Sequence, residues 1–318
     1  MSRRNLTVLT WNVWFGPLSF KDRCESILKF ASESLPDVIC FQEATRRFVI
    51  NHLSKSSLLE MYDMSDPGDG SSVGNYGVLT LCKKDLKATF TSTEFMDSAM
   101  DRSLLATEFN LNGERIVVGT VHLESLNNHP NRMKQLEVCN TKLSPFTHAI
   151  LCGDFNFCSY RNFNQDPSKP LENDCLAEIC PEYVDMWLHL HVNPYIRQLS
   201  DSERGRNTDA IVANMPPHIV GYTFDSEVNK NIDHFERFRI DRVVYKTPSS
   251  GAVLRPESIE IVGKTPINQE ELDQNAAAAA AAPPASVFCT PPRARSDAMN
   301  VPVFPSDHFG LLATFAPV

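Results

Sequence analysis

Four short apolar runs in this chain each end on a polar residue able to do chemistry and a fifth is preceded by such residues, and that repeated junction constrains the fold most. Asn12 closes the run from Leu6 to Val13, and Gln42-Glu43 follows Val38-Ile39-Cys40-Phe41. His122 ends another run, in Val121-His122-Leu123-Glu124-Ser125, while Asp154 and Asn156 follow Ile150-Leu151-Cys152 in Gly153-Asp154-Phe155-Asn156. Finally, Ser306-Asp307-His308 leads into the last run, Leu311 to Phe315. Strand ends in a layered α/β structure gather at one edge, so residues far apart in sequence converge there. An Asp beside a His at the mouth of a last strand is a device for handling negative charge on phosphorus or carbonyl oxygen.

The rest of the pattern supports layers. Phe20 to Ser34 reads as an amphipathic helix ended by Pro36, and Asp37 to Phe41 as a buried strand. A helical pattern covers Thr45 to Leu58, and Gly77 to Cys82 and Ser103 to Phe109 read as strands. Asn112-Gly113 is a hairpin-turn dipeptide before a strand from Arg115 to Val121. Pro130 to Leu143 returns to helix, with Pro130 suited to its first turn. His148 to Cys152, Arg239 to Tyr245, Ser258 to Val262 and Gly310 to Phe315 complete the strands. Hairpins mixed with crossover helices predict an α+β sandwich, two packed sheets flanked by helices. Residues 198–219, polar with a Pro216-Pro217 break, are expected to form a surface loop. Residues 268–300, with alanines at 276–282 among prolines and polar residues, are expected to be a flexible insertion that is partly helical. The expected organisation is one catalytic domain over 1–318.

Charge and cysteine content narrow the setting. A net charge of −9 argues against extensive nonspecific duplex binding, yet an enzyme that grips a short piece of backbone needs only a local positive patch. The nine cysteines are scattered with no Cys-x-x-Cys pair, which suits a reducing compartment, nuclear or cytosolic. No apolar run reaches the length of a membrane span, so no membrane partner is expected.

The five junctions complement one another. A hard cation such as Mg²⁺, with Mn²⁺ as a substitute, takes oxygen ligands and keeps its waters. Glu43 is the natural carboxylate ligand, with Asn12 nearby as a second ligand and as part of the catalytic group. Asp154 can orient and deprotonate an attacking water, with Asn156 positioning it. His122 and His308 can hold nonbridging phosphate oxygens, with Asp307 setting the tautomer or charge of His308. Singly, each has an ordinary explanation: Glu43 as an acid in a first helical turn, Asp154 as a turn cap, His122 as a satisfied strand-end histidine. Their occurrence together, in order, at strand ends is what points to a site.

Trp-Asn-Val, Gln-Glu, His-Leu-Glu-Ser, Gly-Asp-Phe-Asn and Ser-Asp-His, in this order, resemble the endonuclease/exonuclease/phosphatase superfamily from about Leu6 to Phe315. The resemblance implies a four-layered α/β/β/α sandwich of the DNase I-like type. The segments Asn75-Tyr76-Gly77, Arg132-Met133-Lys134-Gln135-Leu136, Gly221-Tyr222-Thr223-Phe224-Asp225, Arg239-Ile240-Asp241-Arg242-Val243 and Pro305 to Leu312 resemble, within it, the tyrosyl-DNA phosphodiesterase branch. That resemblance implies a Mg²⁺-dependent, monomeric nuclear enzyme, present in the cytoplasm as a second compartment. Its substrate would be the 5′-phosphotyrosyl bond between a single-stranded or frayed DNA end and a trapped topoisomerase II peptide. Tyr76, Arg102, Ser125, Phe224 and Arg242 match positions lining the DNA or phosphate path. A phenolate leaves with a pKa of about 10, so it needs less acid assistance than an alkoxide.

Departures from the pattern are specific. Cys158 stands where a basic residue often follows the Gly-Asp-x-Asn motif, and Phe224 where a Trp is often found. The alternatives are another phosphodiesterase of the superfamily, acting on abasic sites or RNA, and a non-catalytic scaffold. The full set of site residues speaks against the second.

Overall fold

A computed structural model describes residues 3–163, 169–204, 208–247, 251–281 and 301–318. Its strands begin with β1 (Leu6–Asn12), β2 (Val38–Ala44), β3 (Tyr62–Met64), β4 (Gly77–Lys83), β5 (Thr89–Glu94), β6 (Ser103–Leu111) and β7 (Glu114–His122). They continue with β8 (His148–Asp154), β9 (Tyr183–Asp185), β10 (Phe224–Asp225), β11 (Arg237–Phe238), β12 (Asp241–Lys246), β13 (Leu254–Val262) and β14 (Gly310–Pro317). The first helices are α1 (Phe20–Ser34), α2 (Arg46–Asn51), α3 (Leu58–Met61), α4 (His129–Leu143) and α5 (Asp174–Ile179). The others are α6 (Asn193–Gln198), α7 (Asp201–Arg204), α8 (Thr208–Asn214), α9 (Pro217–Val220) and α10 (Gln269–Ala281).

Two six-stranded mixed sheets form, ordered β13-β14-β1-β2-β4-β3 and β5-β6-β7-β8-β12-β9. Each contains one parallel pair, β1 with β2 and β7 with β8, and each parallel pair is joined by a fifteen-residue helix, α1 or α4. Antiparallel partners need only a turn, as at Asn112-Gly113, where both residues take positive φ. Phe20, Cys24, Ile27, Leu28 and Ala31 line one stripe of α1 at helical spacing and cover Leu9, Trp11, Ile39 and Phe41. Leu136, Cys139 and Leu143 of α4 do the same for Val117, Val121 and Leu151. Burying each Leu, Ile or Phe of this kind stabilises the fold by about 1.5–3 kcal/mol. The four-layered sandwich expected from the sequence is therefore present.

The strand period of two carries the core directly into the site. Alternate residues that face the opposite sheet run Leu6, Val8, Thr10, Asn12 along β1 and Val38, Cys40, Gln42 along β2. On the other sheet they run Ile116, Val118, Thr120, His122 along β7 and Ile150, Cys152, Asp154 along β8. Each inward row is apolar at its start and polar at its end. The register sets Asn12 beside Gln42, His122 beside Asp154, and Asp154 beside Asp241.

Several local expectations change. The helical pattern over 45–58 breaks into α2, a 3-10 turn at Leu53–Lys55, and α3. Where a surface loop was expected over 198–219, the described residues carry the short helices α7 to α9, and Met215 and Val220 insert into the inter-sheet core and anchor them. The strand expected from Arg239 begins only at Asp241. The alanine run enters α10 through Ala281, and the rest of the expected insertion, 282–300, lies outside the described residues. Among the described residues no helix is long and apolar enough to cross a membrane.

Candidate active site

Beneath the site, a buried amide ties the two sheets together. Gln42 Nε2 donates to Thr120 Oγ1 across the sandwich at 2.9 Å and to Thr10 Oγ1 on the neighbouring strand at 3.0 Å. A register shift between Phe41 and Ala44, with Glu43 at φ +56°, then interrupts the alternation. An extra residue in one strand re-aims the side chain that follows it, so Glu43 and Gln42 both serve the same edge. A second backbone feature places Asp154. Gly153 sits at φ +128°, and a Cβ there would lie 2.0 Å from the Val121 carbonyl oxygen. Only glycine permits this approach of β8 to β7.

Asp154 is the meeting point. Its Oδ2 accepts from Asn12 Nδ2 at 3.1 Å and lies 3.4 Å from His122 Nε2 and 3.8 Å from His308 Nε2. Its Oδ1 accepts from the Asn156 backbone N–H at 2.9 Å, while Asn156, at φ +54°, donates its amide to the Leu123 carbonyl. Asn12 Nδ2 also reaches Glu43 Oε1 at 3.2 Å, and its oxygen accepts from the Trp14 N–H. The Asn12 amide nitrogen thus bridges the two carboxylates, while its oxygen accepts from the backbone.

The two histidines have opposite charge states. Arg102 Nη1 lies 2.8 Å from His122 Nδ1. A guanidinium can only donate, so Nδ1 accepts and the proton sits on Nε2, facing Asp154. Burial, opposed by Asp154 and assisted by Arg102, pulls His122 down to about 3, leaving a neutral donor. His308 is raised well above its ordinary value: burial works against its charge, but Asp241, Asp307 and Asp154 outweigh it. Its Nδ1 bonds Asp241 Oδ2 at 2.9 Å. Asp241 is thus the carboxylate that bonds and orients the His308 ring, where Asp307 was expected to set its tautomer, while Asp307 adds to its charge from a distance. Asp307 Oδ1 lies 4.0 Å from His308 Nε2, with no hydrogen bond between them. Neighbouring residues diverge, whereas Asp241 arrives from the facing strand.

Asp307 instead belongs with Glu43. Burial raises both carboxyls, Asp307 to about 7, and Glu43 adds to the rise at Asp307. Asp154, Asp241 and His308 also place ligand atoms within 4.8 Å of one another, a group able to hold a metal ion. Within that group His308 Nδ1 bonds Asp241 Oδ2, and the two Asp154 oxygens accept from Asn12 and from the Asn156 N–H. Glu43 and Asp307, half-buried and both offering oxygen, form a second group whose chemistry suits a hard divalent cation.

Arg23, fully buried on α1, binds the loop over this pair to the turn before His308. It donates to the carbonyls of Val13, Trp14, Gly16, Leu18 and Pro305, with its guanidinium 4.3 Å over the Trp14 ring. From that loop, the Phe15 N–H reaches Glu43 Oε2 at 3.2 Å.

Aromatic rings flank the opening. Phe15, 46% exposed, packs on Tyr76 at 4.7 Å, and Arg102 lies 4.9 Å over the Tyr76 ring. Ser125 Oγ accepts from Arg102 Nη2 at 2.9 Å, and Phe224 stands 5.0 Å from the His308 ring. Arg242, also expected on that path, lies apart from these groups. It is fully buried, bonded to the Phe157 carbonyl, Asn173 and Asp185, and lines no opening. Its neighbour Asp241 faces the site, and along a strand the next side chain points the other way. Sequence reasoning passed over Asp241, Gln42 as a tie between sheets, and Arg23; a lone acid opening an apolar strand was the available signal for Asp241.

A neutral Nε2–H and a charged Nε2–H thus converge on one carboxylate oxygen, with the half-buried carboxylates of Glu43 and Asp307 alongside. Such a group can hold an anionic tetrahedral centre and accept a proton beside it. Residues 9–308 match the family model described as Endonuclease/Exonuclease/phosphatase family. Tyrosyl-DNA phosphodiesterase 2 of Danio rerio is 24% identical over 268 residues, covering 81% of this chain and 61% of that protein. The Xenopus tropicalis protein of the same name is 23% identical over 320 residues, covering 98% and 66%. The chain therefore spans less than two thirds of the length of these relatives. The crystal structure of the Danio rerio protein complexed with single-strand DNA product superposes with a TM-score of 0.65 at 20% identity, covering 98% of both chains.

Proposed function

This chain belongs to the endonuclease/exonuclease/phosphatase family, and from that premise we propose that it is a Mg²⁺-dependent phosphodiesterase of 5′-phosphotyrosyl DNA ends. Its product is a 5′-phosphate, and its natural substrate is DNA carrying a trapped topoisomerase II peptide, met in the nucleus. The observation that carries the reading is the convergence of neutral His122 and charged His308 on Asp154, beside Glu43 and Asp307.

Glu43 and Asp307 would hold the cation, which when bound supplies Lewis-acid neutralisation of charge on the phosphoryl group. The remaining steps rest on the chain's own side chains. The His122 and His308 Nε2–H groups turn from Asp154 to the nonbridging oxygens of the phosphate. Asp154, held by Asn12 and by the Asn156 N–H, takes the proton of the attacking water. Tyrosine leaves as a phenolate, with a pKa of about 10 that makes strong acid assistance unnecessary. Phe15, Tyr76 and Phe224 offer aromatic faces for an unpaired base or the tyrosyl ring, worth about 1–3 kcal/mol per stacked base.

The charge on His308 gives the reading a pH signature. His308 has a raised pKa, so its charge is present at neutral pH and lost as pH rises through the folded value. Asp241→Asn removes its strongest supporting charge, and the alkaline limb of kcat/KM is expected to move toward neutral pH. An unmoved limb would exclude His308 as the charged group.

A substrate panel tests the assignment. With Mg²⁺, a 5′-phosphotyrosyl oligonucleotide is expected to be cleaved in preference to an abasic duplex and to single-stranded RNA. Preference for either of the others would reassign the enzyme within its family.

A further inference from the structure

The His-Leu-Glu-Ser and Arg-x-x-Gln-Leu segments hold two residues, Glu124 and Gln135, that touch none of the reacting groups, and both are buried. Glu124 and Gln135 pair twice. The Glu124 N–H donates to Gln135 Oε1 at 2.8 Å, and Gln135 Nε2 donates to Glu124 Oε2 at 2.9 Å. Arg132, one turn earlier on α4, donates to the carbonyls of Glu124 and Leu126 and pins that backbone. What remains of the Glu124 carboxylate reaches outward to the loop joining β5 to β6. Oε2 accepts from Ser98 Oγ at 2.8 Å, and Oε1 accepts from the Ala99 N–H at 3.0 Å. Among the described residues no basic side chain touches this carboxylate, so three neutral donors hold it.

Ser98 transmits the hold. Its hydroxyl accepts from the Met100 N–H at 3.1 Å and the Arg102 N–H at 3.0 Å. With its lone pairs engaged there, its single proton has to go to Glu124. A carboxylate meets that demand; a carboxamide would set an N–H against one of three donors. The loop so held ends at Arg102, whose guanidinium fixes the proton of His122 on Nε2. Lys134 and Asn131, on the same side of α4 as Gln135, add bonds to Asp97 of the same loop.

We propose that Glu124 and Ser98 are positioning residues of the hydrolytic site: they clamp the 95–102 loop so that Arg102 holds His122 as the Nε2–H tautomer. The chain of contacts runs from Gln135 to Glu124, Ser98, Arg102 and His122, and only the last is placed to meet the phosphate. This inference rests on the phosphodiesterase reading for its kinetic consequence, but its effect on His122 is independent of it.

The test pairs kinetics with the ring itself. Glu124→Gln and Ser98→Ala are made in the whole chain, and kcat and KM are measured on the 5′-phosphotyrosyl oligonucleotide with Mg²⁺. The ¹⁵N signals of the His122 ring are recorded in the same proteins without substrate. Both variants are expected to lower kcat by about 10- to 100-fold, the size of effect that small misplacement of a reacting group produces, with a smaller change in KM. The His122 signals are expected to leave the pure Nε2–H pattern of the wild type for a mixture with Nδ1–H. Wild-type kcat in folded variants, or a fall in kcat with unaltered His122 signals, would overturn the proposal. If Glu124→Gln does not fold, Ser98→Ala decides, since it removes one hydroxyl. Should the wild type fail to cleave the substrate while the His122 signals still change in the variants, the activity reading fails and the clamp stands.

Discussion

Asp154→Asn is expected to lower kcat by about 10³-fold, within the range general-base groups contribute, while the fold is retained. The asparagine fills the same volume at the end of β8, and its oxygen can still accept from Asn12 or from the Asn156 N–H. What it cannot do is take a proton from water. Its amide would also present N–H groups toward His122 or His308, which both present N–H to that position. A variant that folds, binds the oligonucleotide and turns over within a few-fold of wild type would remove Asp154 from the proton-transfer role.

Glu43→Gln carries the second large effect, and it separates function from stability. Burial raises the Glu43 carboxyl, and Asp307 beside it rises to about 7 partly because Glu43 is there. A carboxylate whose folded pKa lies above its unfolded value costs folding stability at every pH above the unfolded value, and the cost vanishes as pH falls. Neutralising Glu43 relieves its own cost and lowers the pKa of Asp307. The metal-free variant is therefore expected to melt at a higher temperature than metal-free wild type at pH 7 to 8. Its turnover at ordinary Mg²⁺ is expected to fall by about 10²–10³-fold, partly restored by excess Mg²⁺, as for other losses of charge stabilisation. The rise in melting temperature that Mg²⁺ gives the wild type should shrink in the variant. A lower melting temperature with unchanged metal dependence would contradict the pairing of Glu43 with Asp307.

How much of this was legible in the sequence depends on which physical rule each residue obeys. Asn12, His122 and Asp154 were legible because each ends an inward-facing row that is apolar up to its last steps. The sandwich was legible for the same reason, since alternating rows joined by helices of crossover length leave few ways to bury both faces. Glu43 was legible as a carboxylate at a strand end, though the shifted register that aims it was not. Adjacency in sequence points to Asp307 as the partner that orients His308, but the bond goes to Asp241. Asp241 reaches His308 through the antiparallel register of β12 with β8, which no local pattern reveals. Arg242 lies apart for a related reason: one residue of strand separates the face that meets the site from the face that packs on Phe157 and Asp185. The short helices of 201–220 have no such signal: each is too short to show a helical period, and the Pro216-Pro217 break suggests a loop.

The account comes down to water attacking phosphorus under the hold of His122 and His308, with tyrosine as the leaving group. Cleavage of a 5′-phosphotyrosyl oligonucleotide in ¹⁸O-labelled water, with Mg²⁺ and with a chelator in its place, reads this directly by mass spectrometry. The account predicts product only with Mg²⁺, with one ¹⁸O in the 5′-phosphate and none in the released tyrosine. Label in the tyrosine, or equal product without the metal, would contradict it.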